Sequence, residues 1–288
     1  MKRLTLLLIT VLLFSAMTGC CNSQTECEIA ATTLPVYTFT SALCQGTDIR
    51  VGQLVTENVS CLHDYTLQVS QMRMLEFAQV VVISGAGLED FLEDVLTGSH
   101  TVIDASANVQ THGHEHTDGD HHHDHDPHIW LSPENAQIMV KTICTELTAL
   151  YPQNRDVFAA NQDALLAQLT ALQHYADETL AALSCRDLIT FHDGFSYFAE
   201  SFHLNILHSV EEEAGSEASA AELKNMIGLV ADNDLPAVFI EKSGSDAAAK
   251  IISAETGAKI YTLDMGMSGS NYFETMYHNI NTIKEALG

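Results

Sequence analysis

The sequence predicts an α/β protein with two small lobes, each a mostly parallel sheet with flanking helices, joined by a long rigid helix. Short β-branched runs alternate with helical patterns in two separate blocks, which is typical of α/β sheets. Between the blocks, residues 154–183 contain neither proline nor glycine. The chain has 288 residues, of which 46% are hydrophobic, so it can bury a core in each lobe.

The first block, residues 28–153, is predicted to form the N-terminal lobe. Its run Val80-Val81-Val82-Ile83 is apolar on both faces, as a buried parallel strand should be. We expect strands at residues 29–34, 49–55 and 79–84, separated by helices at residues 65–77 and 88–96.

The second block, residues 185–288, repeats the same alternation and is predicted to form the C-terminal lobe. We expect its strands at residues 188–192, 206–210, 237–241 and 259–263. Helical patterns fit at residues 195–202, 220–233, 246–256 and 272–287.

A pair of helices is expected between the lobes. Ser132 and Pro133 form a helix start, because serine caps the first turn and proline needs no hydrogen bond there. This helix should end before Pro152, and a second should cover residues 154–184. One apolar stripe marks the second helix: Phe158, Leu165, Leu169, Leu172, Ala176, Leu180 and Leu183. Such a helix would be a strut between lobes; two shorter core helices within one domain are the alternative.

The N-terminus has the form of an export signal. Lys2 and Arg3 precede an uncharged run, residues 4–17, which is shorter than the ~20 residues that span a bilayer. The sequence Met17-Thr18-Gly19-Cys20 then resembles the lipobox of bacterial lipoproteins. The resemblance implies removal of residues 1–19, lipidation of Cys20 and a membrane tether at residues 20–27. An ordinary secreted protein with a chance cysteine is the alternative.

An exported chain can form disulfides, but the pairing stays open. Six cysteines remain after Cys20: Cys21, Cys27, Cys44, Cys61, Cys144 and Cys185. Since none of them forms a CxxC pair, a thiolate zinc site is disfavoured.

The charge balance restricts the class of partner. The chain has 38 acidic and 12 basic residues, which gives a formal net charge of −26. Nucleic acids select basic surfaces, so this balance argues against them and favours cationic ligands.

A histidine-rich tract lies at residues 112–126. It combines acidic residues with seven histidines and contains nothing apolar, so we expect a mobile loop. Neutral imidazole suits Zn²⁺ and similar metals, which predicts several weak, exchanging sites there. A solvated acidic loop or a proton-buffering segment is the alternative. The histidines are His112, His114, His116, His121, His122, His123 and His125.

Four other residues are candidates for one tight metal site. His128 lies between Pro127 and an apolar run that leads to Pro133, so its backbone should be fixed. His192 and Asp264 each end a predicted strand of the C-terminal lobe, where α/β sheets bind ligands. His63 lies in a loop just before a predicted helix. Three imidazoles and one carboxylate can complete a tetrahedral zinc shell.

These segments resemble the metal-specific solute-binding proteins of bacterial ABC transporters, in the high-affinity zinc receptor branch. The motifs are His63-Asp64-Tyr65, Asp-Pro-His-Ile-Trp-Leu-Ser-Pro at residues 126–133 and Phe-His-Asp-Gly-Phe-Ser-Tyr-Phe at residues 191–198. The stretch from Leu263-Asp264 to residue 287 also fits. The resemblance implies a metal in the cleft between the lobes, with ligands His63, His128, His192 and Asp264.

The resemblance also implies a role. We expect an extracytoplasmic, monomeric receptor, held to the membrane by its lipid, that delivers Zn²⁺ to an ABC permease. Manganese-type members carry a carboxylate in place of His192, so histidine there and the histidine-rich loop favour zinc; a manganese or iron receptor is the alternative. A metal-buffering surface lipoprotein or adhesin is another, whereas a zinc hydrolase is disfavoured because no HExxH motif occurs.

Two departures from the family pattern stand out. This chain has Leu62 where the family often has proline before the first histidine, and Glu241-Lys242 where it often has Glu-Pro. The first lies in the loop of His63, and the second is expected to touch no ligand. The remaining histidines are interpreted as surface or packing residues: His100, His174, His203, His208 and His278.

Overall fold

Two four-stranded sheets organise the molecule, which is described here from a computed structural model. All the strand pairs in both sheets are parallel, which confirms the predicted fold class. The structure describes residues 26–57, 59, 62, 65–96, 98, 100–111, 126–210, 218–267, 269 and 271–288. The predicted lipidation at Cys20 and all seven histidines of the tract lie outside these residues.

The N-terminal sheet has the strand order β2-β1-β3-β4. Its apolar central strand β3 is buried, as its uninterrupted valine run predicts. The strands are β1 Ile29–Ala31, β2 Val51–Gln53, β3 Val80–Ile83 and β4 Thr101–Asp104, with helices α1 Leu34–Leu43 and α2 Val69–Phe77.

The C-terminal sheet has the equivalent order β6-β5-β7-β8. Its strands and helices agree closely with the predicted positions. They are β5 Asp187–Thr190, α5 Ser196–Ser201, β6 Asn205–Ser209, α6 Ala220–Asp232, β7 Ala237–Glu241, α7 Ala247–Thr256, β8 Lys259–Leu263 and α8 Tyr272–Leu287.

Helices α3 Pro133–Leu150 and α4 Arg155–Leu180 connect the two sheets. Ser132 Oγ accepts the N–H of Asn135 at 3.3 Å, so it caps α3 as predicted. The predicted apolar stripe of α4 is buried from Phe158 to Leu180. Helix α4 packs on α1 and α3 at one end and on α8 at the other, so it bridges the lobes.

Two predictions about the N-terminal lobe were wrong, and two of its elements, α1 and β4, were not predicted. Residues 88–96 form turns around a short 3₁₀ helix, Asp90–Leu92, because the Glu89 side chain folds back to accept the N–H groups of Ser84 and Gly85. The strand expected at 29–34 ends at Ala31, where Pro35 starts the unpredicted helix α1. The short strand β4 also escaped notice, since only Ile103 of its four residues is buried.

One large apolar core crosses from one lobe to the other. It joins Phe39 and Trp130 of the N-terminal lobe to Met265, Met267 and Tyr272 of the C-terminal lobe. Each sheet has a second, smaller cluster on its other face. The lobes are therefore held together by buried apolar surface as well as by α4.

Of the cysteines within the described ranges, Cys27, Cys44, Cys144 and Cys185 are all free thiols. Burial raises the pKa of the Cys44 thiol to about 12. No helix in the part of the chain that the structure describes is long and apolar enough to cross a membrane.

Candidate metal centre

His128 lies in the seam between the lobes. His128 directly precedes the 3₁₀ helix Ile129–Leu131, whose three side chains are buried in the core that the two lobes share. Trp130 Nε1 donates to the carbonyl of Met265 at 2.8 Å, and Tyr272 Oη donates to the carbonyl of Trp130 at 2.7 Å. This anchoring fixes the backbone beside His128, as the flanking prolines and apolar run predict, and leaves its ring 5% exposed.

Asp126 orients the His128 ring. Its Oδ1 accepts both the backbone N–H of His128 at 2.9 Å and Nδ1 at 2.8 Å. Burial opposes ionisation of Asp126, but the hydrogen bonds and charge of His128 and the Ser196 hydroxyl hold the pKa of this carboxyl below its usual value. When His128 is neutral, the ionised carboxylate keeps the proton on Nδ1, so Nε2 has its lone pair for a metal.

The same carboxylate reaches the other lobe. Asp126 Oδ2 accepts a hydrogen bond from Ser196 Oγ at the start of α5. Asp126 therefore ties the orientation of an N-lobe imidazole to a C-lobe helix.

His192 follows β5 and meets His128 across the seam. The two rings are edge to face, with centroids 5.3 Å apart and planes at 80°. Gly194 allows this approach, because a Cβ there would lie 2.6 Å from His128 Nδ1 and 2.5 Å from Met265 Cε. The structure thus brings together two predicted ligands that are distant in sequence.

Asp264 follows β8, and hydrogen bonds hold both its backbone and its side chain. Its backbone exchanges two hydrogen bonds with the Asn279 side chain, at 3.0 and 2.7 Å. Its Oδ1 accepts the N–H of Gly266 at 2.8 Å, while Oδ2 accepts from Lys242 Nζ at 2.7 Å. The expectation that Lys242 touches no proposed ligand was therefore wrong. The long lysine side chain reaches across from the end of the neighbouring strand β7.

Glu241 is a buried carboxyl close enough to Asp264 and His128 to interact with their charges, and the sequence interpretation missed it. It ends β7, is 3% exposed, and its Oε2 has no hydrogen-bond partner. Burial, with a contribution from the charge of Asp264, raises the pKa of Glu241 to about 7, while a hydrogen bond from the backbone of Ser243 and the charges of His128 and Lys242 oppose this. Its place at a strand's carboxyl end, the criterion that selected His192 and Asp264, was the available signal.

His63 lies outside the described residues, so its predicted role as a ligand is untested. The segments on either side are tied together, since Glu57 accepts from Tyr65 Oη at 2.7 Å and from Gln68 Nε2 at 2.9 Å. Within the part of the chain that the structure describes, no three His, Cys, Asp or Glu side chains are arranged to hold a metal ion. Of the other histidines, His100 packs as expected, with Nε2 2.8 Å from the Leu75 carbonyl.

Sequence comparison places this architecture among metal-binding proteins. The profile of the family described as zinc-uptake complex component A, periplasmic, matches residues 29–286. The chain is 28% identical to a putative metal-binding protein of Treponema pallidum, over 92% of this chain and 91% of that one. It is 26% identical to the zinc-binding lipoprotein AdcA of Streptococcus pneumoniae, over 99% of this chain but 61% of AdcA. It is 25% identical to the manganese-binding lipoprotein MntA of Halalkalibacterium halodurans, over 78% and 77% respectively.

Solved structures agree with this assignment. A crystal structure of ZnuA aligns with a TM-score of 0.80 and 29% identity, over 91% of this chain and 100% of that one. The solute-binding protein FpvC from Pseudomonas aeruginosa, in complex with Mn²⁺, aligns with a TM-score of 0.78 and 26% identity, over 91% and 98%. The two parallel-sheet lobes and the long helix between them are shared with ZnuA.

Proposed function

Because this chain belongs to the family of zinc-uptake complex component A, periplasmic, we propose that it is an extracytoplasmic receptor that captures Zn²⁺ for import. Zinc is the transported substrate and is released again. The observation that carries the proposal is the contact of His128 and His192 across the lobe seam, with Asp126 holding Nδ1 of His128.

The proposed ligands are His63, His128, His192 and Asp264. His128 and His192 are supported by their ring contact, and Asp264 by its place one residue before Met265, which lies against Gly194 as the His128 ring does. Neutral imidazoles and a carboxylate are the ligands that Zn²⁺ favours, whereas hard cations favour sites built from oxygen.

Electrostatics supports capture of a cation. Three neutral imidazoles and one carboxylate leave a net charge near +1 once Zn²⁺ is bound. The chain as a whole has a formal net charge of −26, so its field attracts divalent cations towards the site.

The regions outside the described residues complete the proposal. Lipidated Cys20 would hold the receptor at the membrane, and an ABC permease would take the ion from the monomeric receptor. The histidines of residues 112–125 would bind further zinc weakly, because nothing in their composition preorganises them.

Catalysis is not part of the proposal. A zinc hydrolase needs an open coordination position and a general base beside it. A shell filled by three histidines and Asp264 leaves no bound water to activate.

The test is elemental analysis of protein purified without chelator, followed by competitive titration against chromophoric chelators with Zn²⁺ and Mn²⁺. We expect one tight Zn²⁺ per chain, lost below a pH of about 6 because protonated imidazole does not coordinate. Tighter binding of Mn²⁺ than of Zn²⁺ would favour the manganese alternative. Absence of any tight one-to-one complex would favour a metal-buffering surface protein.

A further inference from the structure

The Lys242–Asp264 ion pair lies at the edge of the proposed metal site. Lys242 Nζ is 2.7 Å from Asp264 Oδ2, and the two side chains are 52% and 16% exposed. The lysine head therefore extends from solvent onto a largely covered carboxylate. Of the two oxygens of Asp264, Oδ2 faces Lys242, while Oδ1 accepts the N–H of Gly266.

This arrangement places one positive charge where a metal would place two. A carboxylate oxygen has lone pairs for two partners, but an ammonium and a dication on one carboxylate repel each other strongly at such distances. Asp264 is held in place, because Asn279 fixes its backbone and its Oδ1 accepts the N–H of Gly266. Lys242 is the mobile partner, since its long stem is half exposed and can move into water.

The neighbouring carboxyl group, that of Glu241, does not replace Asp264 as the partner of Lys242. Glu241 is adjacent in sequence, but its Oε2 is buried without a hydrogen-bond partner. Lys242 is thus the cation that compensates the charge of Asp264 when no metal is bound.

We propose that the Lys242 ammonium is a built-in competitor of the metal for Asp264 and thereby sets the affinity of this receptor. Binding exchanges one cation for another at the carboxylate, and the returning ammonium assists release. The inference rests on the proposed function and deepens it, because it names a residue that limits how tightly the site holds its substrate.

The experiment is a competitive chelator titration with Zn²⁺ on the full mature chain and five variants, one of which is Asp264→Asn alone. Lys242→Met removes the competitor and should tighten binding about tenfold. The metal then has no Lys242–Asp264 ion pair to break and is not repelled by the ammonium. Lys242→Arg keeps the charge and should stay near wild type. Lys250→Met is the matched control, because it removes another lysine in an ion pair, 2.8 Å from Asp246 on α7, and should change nothing.

The fourth variant, Lys242→Met combined with Asp264→Asn, tests the route of the effect. The gain should disappear when compared with Asp264→Asn alone, because the competitor then has no shared carboxylate. A gain that persists there, or an unchanged or weaker affinity in Lys242→Met, would overturn the inference while wild-type binding leaves the proposed function intact. A wild-type chain that binds no zinc would overturn both. Thermal melting of each metal-free variant checks that folding is unaffected.

Discussion

The imidazoles of His128 and His192 meet edge to face across the boundary between two lobes, with ring centroids 5.3 Å apart. The residues are 64 positions apart in the chain, and each ring is carried by a different lobe. His128 is the more constrained, because Asp126 fixes its Nδ1 and Gly194 packs directly on its ring. A metal bound by both rings would therefore link the lobes at a contact that already exists.

Replacing His192 with alanine should weaken Zn²⁺ binding at least about tenfold, because one nitrogen ligand is lost from the proposed shell. Competitive chelator titration measures the change. His278→Ala is the matched control, since this histidine is exposed on α8 and should not affect binding. Equal affinities for wild type and His192→Ala would remove His192 from the ligand set.

Replacing Asp126 with asparagine should lower Zn²⁺ affinity by roughly ten- to a hundredfold, because the partner that orients a ligating histidine is lost. Ser196→Ala should have a smaller effect, since Asp126 still accepts both bonds from His128. Asp163→Asn, on an exposed position of α4, serves as the control. If Asp126→Asn binds zinc as wild type does, the ring needs no such support.

Deleting residues 112–125 should reduce the number of zinc ions bound while the tightest site persists. The deletion spares Asp126, which the structure assigns to the orientation of His128 rather than to the histidine-rich tract. Isothermal calorimetry on both forms resolves the two classes of site. Disappearance of the tight class would mean that a tract histidine belongs to the main shell.

Glu89 should make folding less favourable as the pH rises. Burial raises its pKa to about 7 from an ordinary value of 4.5, although hydrogen bonds from Thr32, Ser84 and Gly85 oppose the shift. The folded state then binds more protons than the unfolded state between these values, so stability is lost as the pH rises through about 7. The loss is about 3 kcal/mol, at 1.36 kcal/mol per unit of pKa.

Denaturant unfolding of wild type and Glu89→Gln at pH 4.5 and 8 measures this effect. The free energy of unfolding of wild type minus that of the variant should be smaller at the higher pH than at the lower one. Glu285→Gln, an exposed site on α8, should show no such change. A constant difference for Glu89→Gln would show that the hydrogen bonds offset burial completely, and a rising difference would show that they outweigh it.

Most of the C-terminal lobe could be predicted from sequence, because each strand is centred on consecutive apolar residues and helices α6 and α8 begin with side-chain caps. Ser219, for example, caps α6 in a capping box with Glu222. The N-terminal lobe was harder. The turn that replaces the expected helix at residues 88–96 depends on a buried Glu89, which accepts from Ser84 and Gly85 just after β3 and from the distant Thr32. No local pattern encodes the contact with Thr32.

The sequence by itself determined the two-lobed α/β class, the helical strut and the strand-end positions of His192 and Asp264, since these follow from periodicity and from the carboxyl-end rule for parallel sheets. Only the tertiary structure decided that Asp126 bridges His128 and Ser196, that Glu241 is buried beside the site, and that Lys242 pairs with Asp264. These contacts join segments from different lobes or neighbouring strands. Their distances depend on how whole elements pack, which local sequence does not specify.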